Sequence, residues 1–317
     1  MTLDMAIELE PWVSEGVNRH LETTRDWIPH RFVPWSRGSD YTSESPEEGM
    51  PDRGEPESAG SAMPPGVRSA LEINLVTEDN LPSYHFELAR RAGRDGAWGT
   101  WLHRWTAEEG RHAIAIRDYL LTTRAVDADE LERQRMRIMQ IGWQAHARDV
   151  VEFIAFTSLQ ERATRISHRN TGRLMDCPRG DRLMARVAAD ENLHMVFYRD
   201  LVGAALAIDP SATVRAVCRE VSAFQMPGHV IPGFGRKSAA IACAGIYNLD
   251  IHHRQVVLPL IRHWRLFDTQ GLDATARSAL EGLEQFLENL RSQAARQTQH
   301  IVDAAARSSA AAARRAA

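Results

Sequence analysis

The chain carries one unit twice: a glutamate, about thirty residues, then Glu-x-x-His. Glu78 precedes Glu109-Gly-Arg-His112, and Glu161 precedes Glu191-Asn-Leu-His194, by intervals that agree to within a single position. On a helix, residues three apart share a face with Cβ atoms about 5–6 Å apart, so each Glu-x-x-His can offer a carboxylate and an imidazole to one cation. One such motif is weak evidence. With 13 histidines in 317 residues and Glu at roughly 6–8% of positions, about one is expected by chance. The repetition changes the weight. The interval makes one helix, a turn and part of an antiparallel partner. Two such hairpins close a four-helix bundle with Glu78, Glu109, His112, Glu161, Glu191 and His194 turned inward.

The predicted fold is therefore all-α, a ferritin-like four-helix bundle with additional helices, and the six residues match the dimetal carboxylate arrangement of such bundles. Six oxygen and nitrogen donors suit iron or manganese better than a four-coordinate structural zinc. The rest of the pattern agrees. From Val67 to Leu206 prolines are scarce and apolar residues recur every three or four positions, as in Leu71, Leu75, Leu81 and Leu88. Trp98, Trp101 and Trp105 share that spacing and read as core. No alternating strand pattern with hairpin turns stands out. Residues 1–35 read as an N-terminal helical segment packing on the bundle. Residues 36–66, rich in Ser, Gly, Pro and Glu, read as a flexible loop. Residues 67–275 form the dimetal domain, and 276–317 a C-terminal helix and disordered tail.

Several functional classes are disfavoured. The formal net charge is −4, and Lys237 stands as the single lysine among 38 basic residues, so a dedicated nucleic-acid binder is not indicated. Cys177, Cys218 and Cys243 are odd in number and far apart, which speaks against a disulfide framework or a cysteine metal site. The acidic N-terminus does not read as a signal peptide, and no run approaches the roughly 18–20 apolar residues of a membrane span. A cytoplasmic protein is expected. No GxGxxG after a strand, P-loop or GxSxG occurs.

The flanks of the motifs carry a resemblance. TEDNLPSY (77–84), WTAEEGRHA (105–113), FTSLQERATRISHRNTG (156–172) and AADENLHMVFYRD (188–200) resemble the soluble acyl-acyl-carrier-protein desaturases, most of all their actinobacterial branch, over about Leu9 to Phe267. Gly110 departs from the family's usual EENRH, at a position that is not a ligand. The resemblance implies two iron ions per chain, cycling between Fe2+ and Fe3+, on the six residues chosen from spacing. It implies a homodimer, ferredoxin as electron source, and an acyl chain on acyl carrier protein as substrate, which receives a cis double bond in an oxygen-dependent reaction. A related oxygenase and a non-enzymatic iron protein use the same bundle.

Three further residues are singled out. Thr164 lies one turn after Glu161, and the ERAT motif implies a hydroxyl in the oxygen pocket; a helix Thr also commonly bonds back to the preceding turn. Asp190 precedes a ligand and can hold His112 by its other ring nitrogen. With Trp27, the resemblance implies, it carries electrons inward. Arg90, Arg91 and Arg94, or Arg133, Arg135 and Arg137, are candidate docks for an acidic carrier.

Overall fold

A computed structural model describes residues 4–38, 63–225, 228 and 231–316, with side chains to Arg307. Residues 39–62, most of the stretch expected to be a flexible loop, lie outside the described residues. All regular elements among the described residues are helical. The chain runs α1 (Met5–Thr23), α2 (Pro65–Glu78), α3 (Leu81–Ala92), α4 (Gly96–Thr122), α5 (Ala128–Ile141), α6 (Val150–Leu174), α7 (Pro178–Ile208), α8 (Pro210–Ala223) and α9 (Phe234–Cys243). A short α10 (Leu249–Ile251) passes through a π-helical stretch, His252–Val257, into α11 (Leu258–His263). The backbone of α12 is helical from Ala274 to Ala316, where the sequence suggested a C-terminal helix and a disordered tail.

Caps set many of these boundaries. The side chains of Asp4, Asp127, Asp149 and Asp209 accept a hydrogen bond from a first-turn N–H of α1, α5, α6 and α8, a device that contributes about 1 kcal/mol each. Gly93 and Gly142 end α3 and α5 at φ +89° and +68°, a backbone region closed to most side chains.

The bundle is made by α2, α4, α6 and α7, with α1 laid against α4 and α7. The second hairpin is symmetric about its loop: Glu161 lies as far before the end of α6 as Glu191 lies after the start of α7. In the first hairpin the helix is interrupted. Glu78 is the last residue of α2, and α3 restarts at Leu81 with Pro82 in its first turn. Proline is tolerated there because first-turn N–H groups have no helical partner. Close approach of α6 and α7 relies on Gly172, where a Cβ would meet Met184 Cβ at 2.9 Å.

Two apolar clusters surround the bundle interior. One joins α1, α4, α6, α7, α8 and α12, with Trp98, Trp101 and Trp105 in it as expected. The other joins α2, α4 and α7 around Leu71, Leu75, Ile116 and Leu183. Along α4 the buried positions include Trp98, Trp101, Leu102, Trp105, Glu109, His112, Ile116 and Tyr119. The spacing is that of an ordinary core stripe, but Glu109 and His112 within it are polar. Core positions given to carboxylates and imidazoles are costly unless those groups are paired or bind a cation.

Candidate metal centre

All six residues chosen from spacing meet in the bundle interior, each 6% exposed or less. They form two groups that share two members. Glu78, Glu109, His112 and Glu191 bring potential ligand atoms within 4.8 Å of one another, and so do Glu109, Glu161, Glu191 and His194. Glu109 and Glu191 belong to both. His112 Nδ1 lies 3.4 Å from Glu109, 3.6 Å from Glu191 and 3.7 Å from Glu78. His194 Nδ1 lies 2.7 Å from Glu109 Oε1 and 3.8 Å from Glu161.

These residues fit a pair of cations on three counts. His112 Nδ1, His194 Nδ1, Glu109 Oε1 and Glu161 Oε1 are buried without a hydrogen bond; even the close approach of His194 to Glu109 lacks hydrogen-bond alignment. Buried polar atoms are rarely left so. Four glutamates in one buried cluster repel each other, and two divalent ions would balance them in charge. The donors are carboxylate oxygen and imidazole nitrogen, a set for iron or manganese.

Each imidazole is held by its second nitrogen, and the two motifs do this for each other. Asp190, immediately before Glu191, places Oδ2 3.4 Å from His112 Nε2. Glu108, immediately before Glu109, places Oε2 2.9 Å from His194 Nε2. Such carboxylate–imidazole pairs fix the tautomer that leaves Nδ1 free to bind a metal. Glu108 also accepts from His20 Nε2 at 2.9 Å and from Arg104 and Thr24. Asp190 accepts from Trp27 Nε1 at 2.6 Å and pairs with Arg186. The Trp27 ring lies 6.3 Å from that of His112 and carries Arg111 on its face. Glu108 and His20 were not picked out from the sequence, although Glu108 holds the same place relative to its motif as Asp190.

Thr164 bonds back to the preceding turn and also faces the cluster of carboxylates. Its hydroxyl reaches the carbonyls of Gln160 and Glu161 at 3.1 Å and also Glu191 Oε2 at 3.1 Å. It lines a small cavity of about 90 Å³, walled mostly by apolar atoms of Ile73, Thr77, Phe234, Ile241 and Tyr247, that reaches Glu78. In the candidate carrier docks several arginines are already paired. Arg91 is buried against Glu87 and donates to Ala147 O at 2.6 Å, while Arg90 also turns to Glu87. Arg133 pairs with Glu130, and Arg135 with Asp79 and Glu132. A larger basic groove of about 620 Å³, with Arg25, Arg165, Arg169, Arg173 and Arg186 on its walls, lies instead along α6 and α7. A Cβ at Gly110 would have only Leu81 near, at 4.0 Å, so the departure there leaves the site unchanged.

Burial works against charge on His112 and His194, yet the facing carboxylates overcome it and hold both pKa values well above the usual imidazole range. Burial, with Glu109 and Glu161 beside it, pushes Glu191 well up. A cation must displace these protons. Adding Mn2+ to the metal-free protein in weakly buffered neutral solution is therefore expected to acidify it, and affinity to fall as pH is lowered. A pH-stat titration showing binding without proton release would contradict this.

Comparison with known proteins places the site in context. The family pattern described as fatty acid desaturase matches residues 1–313. A Mycobacterium tuberculosis protein named as an acyl-acyl-carrier-protein desaturase, DesA1, is 45% identical over 276 residues, 84% of this chain and 80% of its own. A rice chloroplastic protein, acyl-acyl-carrier-protein desaturase 6, is 32% identical over 300 residues, 87% of this chain and 70% of its own. The crystal structure of M. tuberculosis DesA2 superposes with a TM-score of 0.68 at 26% identity, covering 88% of this chain and 98% of that one. The expected all-α, ferritin-like fold is thus borne out.

Proposed function

The chain belongs to the fatty acid desaturase family, and from that premise we propose that it removes two hydrogens from a fatty acyl chain held on acyl carrier protein, in an oxygen-dependent reaction at a di-iron centre. The observation that carries this is the pair of four-residue groups sharing Glu109 and Glu191, set beside an apolar cavity that touches Glu78 and Thr164. Bound iron supplies what no side chain can, the activation of oxygen and the oxidation of an unactivated methylene.

The protein's own residues do the rest. The cavity offers apolar contact to a methylene chain. At about 90 Å³ it is smaller than the roughly 300–1,000 Å³ of ligand pockets, so an entering chain must displace side chains such as Phe234 or Tyr247. Thr164, between cavity and Glu191, can hold or pass a proton. Replacing it with Val removes the hydroxyl at nearly constant volume. Thr164→Val is expected to leave metal binding intact while raising oxygen consumed per product several-fold. Unchanged coupling, measured by oxygen electrode against product, would remove Thr164 from proton handling.

Electrons reach the centre from outside the chain. The resemblance points to ferredoxin, and the arrangement of Arg186, Asp190 and His112 supports entry from the basic groove: Arg186 on its wall pairs with Asp190, which meets both Trp27 and His112. An acidic redox protein matches Arg25, Arg165 and Arg173 there in charge, while Arg169 and Arg186 pair with Asp181 and Asp190. A homodimer remains the expected assembly.

The carrier is tested by comparing acyl carrier protein thioesters, coenzyme A thioesters and free acids as substrates at low and high salt. Turnover is expected to be highest for the carrier protein and to weaken with salt. Equal turnover of all three without salt dependence would refute a tethered substrate.

A further inference from the structure

One buried histidine in the centre is not among the six. His168 sits on α6 two turns beyond Glu161 and is fully buried. Its Nε2 lies 3.2 Å from Glu78 Oε1 and 3.3 Å from Glu191 Oε1. Its Nδ1 lies 3.1 Å from the side-chain nitrogen of Asn74, one turn before Glu78 on α2. An imidazole nitrogen facing two carboxylates binds them only if it carries hydrogen. Asn74 Nδ2, donating to Nδ1, selects that tautomer. The other half of the centre is built differently: among the described residues, the imidazole facing Glu161 is the ligand candidate His194 itself. Asn74 also lines the apolar cavity, whereas His168 does not.

We propose that Asn74 and His168 are a positioning pair that orients the Glu78 carboxylate and links the contents of the cavity to the half of the metal centre built on Glu78 and His112. The inference rests on the metal-centre reading above. With Nε2–H engaging Glu78 Oε1, the other oxygen, Oε2, is the one turned to His112 Nδ1 at 3.7 Å, which fixes the oxygen offered to a cation. A molecule in the cavity meets the Asn74 amide and, through it, the hydrogen bond from His168 to Glu78.

The test is a metal titration against a competing chelator. In His168→Phe, which keeps a ring and loses the donor, one of two ions is expected to bind roughly 10–100-fold more weakly, the usual cost of losing a group that supports a ligand, and the other, which shares only Glu191 with His168, to weaken much less. His168→Gln, which restores an N–H donor, is expected to recover most of that loss. In Co2+-loaded protein, a saturated long-chain fatty acid is expected to shift the visible absorption bands of the wild type, and to shift them much less in Asn74→Ala, with fatty-acid binding checked in both by calorimetry. If the wild type binds no pair of ions, the metal reading itself fails. If it binds two and His168→Phe binds both as tightly, or if Gln restores nothing, the positioning role is overturned. A band shift absent from the wild type, or undiminished in Asn74→Ala, overturns the link to the cavity.

Discussion

Glu191→Gln is expected to abolish paired-metal binding while leaving the metal-free protein about as stable as the parent. Burial and the neighbouring Glu109 and Glu161 carboxylates hold the pKa of Glu191 well up, so without metal its neutral form is favoured relative to an exposed carboxyl. Glutamine reproduces that neutral shape. Metal-free stability should change by no more than about 1 kcal/mol, the scale of an ordinary substitution. With metal the outcome differs, because Glu191 belongs to both four-residue groups and an amide is a poor substitute for a bridging carboxylate. Affinity should fall by more than the roughly 10–100-fold that follows loss of a merely supporting residue. The parent should gain thermal stability on loading, about 2.7 kcal/mol at one hundred times the dissociation constant, and the variant should not. Calorimetry with and without metal checks both halves. A variant that still takes up two ions would remove Glu191 from the centre.

The second large effect is on folding. Asp190 is fully buried and meets four partners: His112 Nε2, Trp27 Nε1, Arg186, and Arg111 at 3.8 Å. Asp190→Ala leaves Arg186 without its buried counter-ion and Trp27 N–H without an acceptor, while Arg111 keeps Glu108 and Asp26. Breaking a buried charge network from one side costs about 3–5 kcal/mol. Asp190→Asn keeps an acceptor for Trp27 and should cost less, while still slowing reduction of bound metal if electrons enter here. Denaturant unfolding reads the first effect and stopped-flow reduction the second. An Ala variant as stable as the parent would contradict the network's role.

The metal-site candidates were legible because their spacing obeys helix geometry twice over. A chance Glu-x-x-His has no reason to be preceded by another Glu at the same interval in both halves of the chain, and it is that recurrence, not the motif, that located Glu78 and Glu161. Asp190 was legible from its place before Glu191. The same reasoning applies to Glu108 before Glu109, but it was not extended to Glu108, whose contact with His194 Nε2 the fold reveals. His168 left a fainter trace: with Glu161 and Thr164 it completes an i, i+3, i+7 face, yet its partners Asn74 and Glu78 come from α2 and no spacing shows that meeting.

Other features depended on tertiary neighbours. Arg90, Arg91, Arg133 and Arg135 read as parts of basic patches in one dimension; in the fold they pair with Glu87, Asp79, Glu130 and Glu132, while Arg94 and Arg137 of the same patches are exposed. The groove arginines are scattered from Arg25 to Arg186 and gather only when α6 and α7 pack. The apolar cavity needs α9, remote in sequence, against α2 and α6. Leu71, Leu75, Leu81 and Leu88 read as one helical series, so the interruption between α2 and α3, directly after Glu78, was missed.

Oxidation of an acyl chain by a pair of metal ions held on these six residues is read by mass spectrometry of an acyl carrier protein thioester after incubation with iron-loaded protein, a reduced ferredoxin and oxygen. The predicted result is an acyl chain lighter by two hydrogens, formed with iron and oxygen present and absent in Glu191→Gln. An unchanged chain, or one heavier by a single oxygen atom, would contradict it.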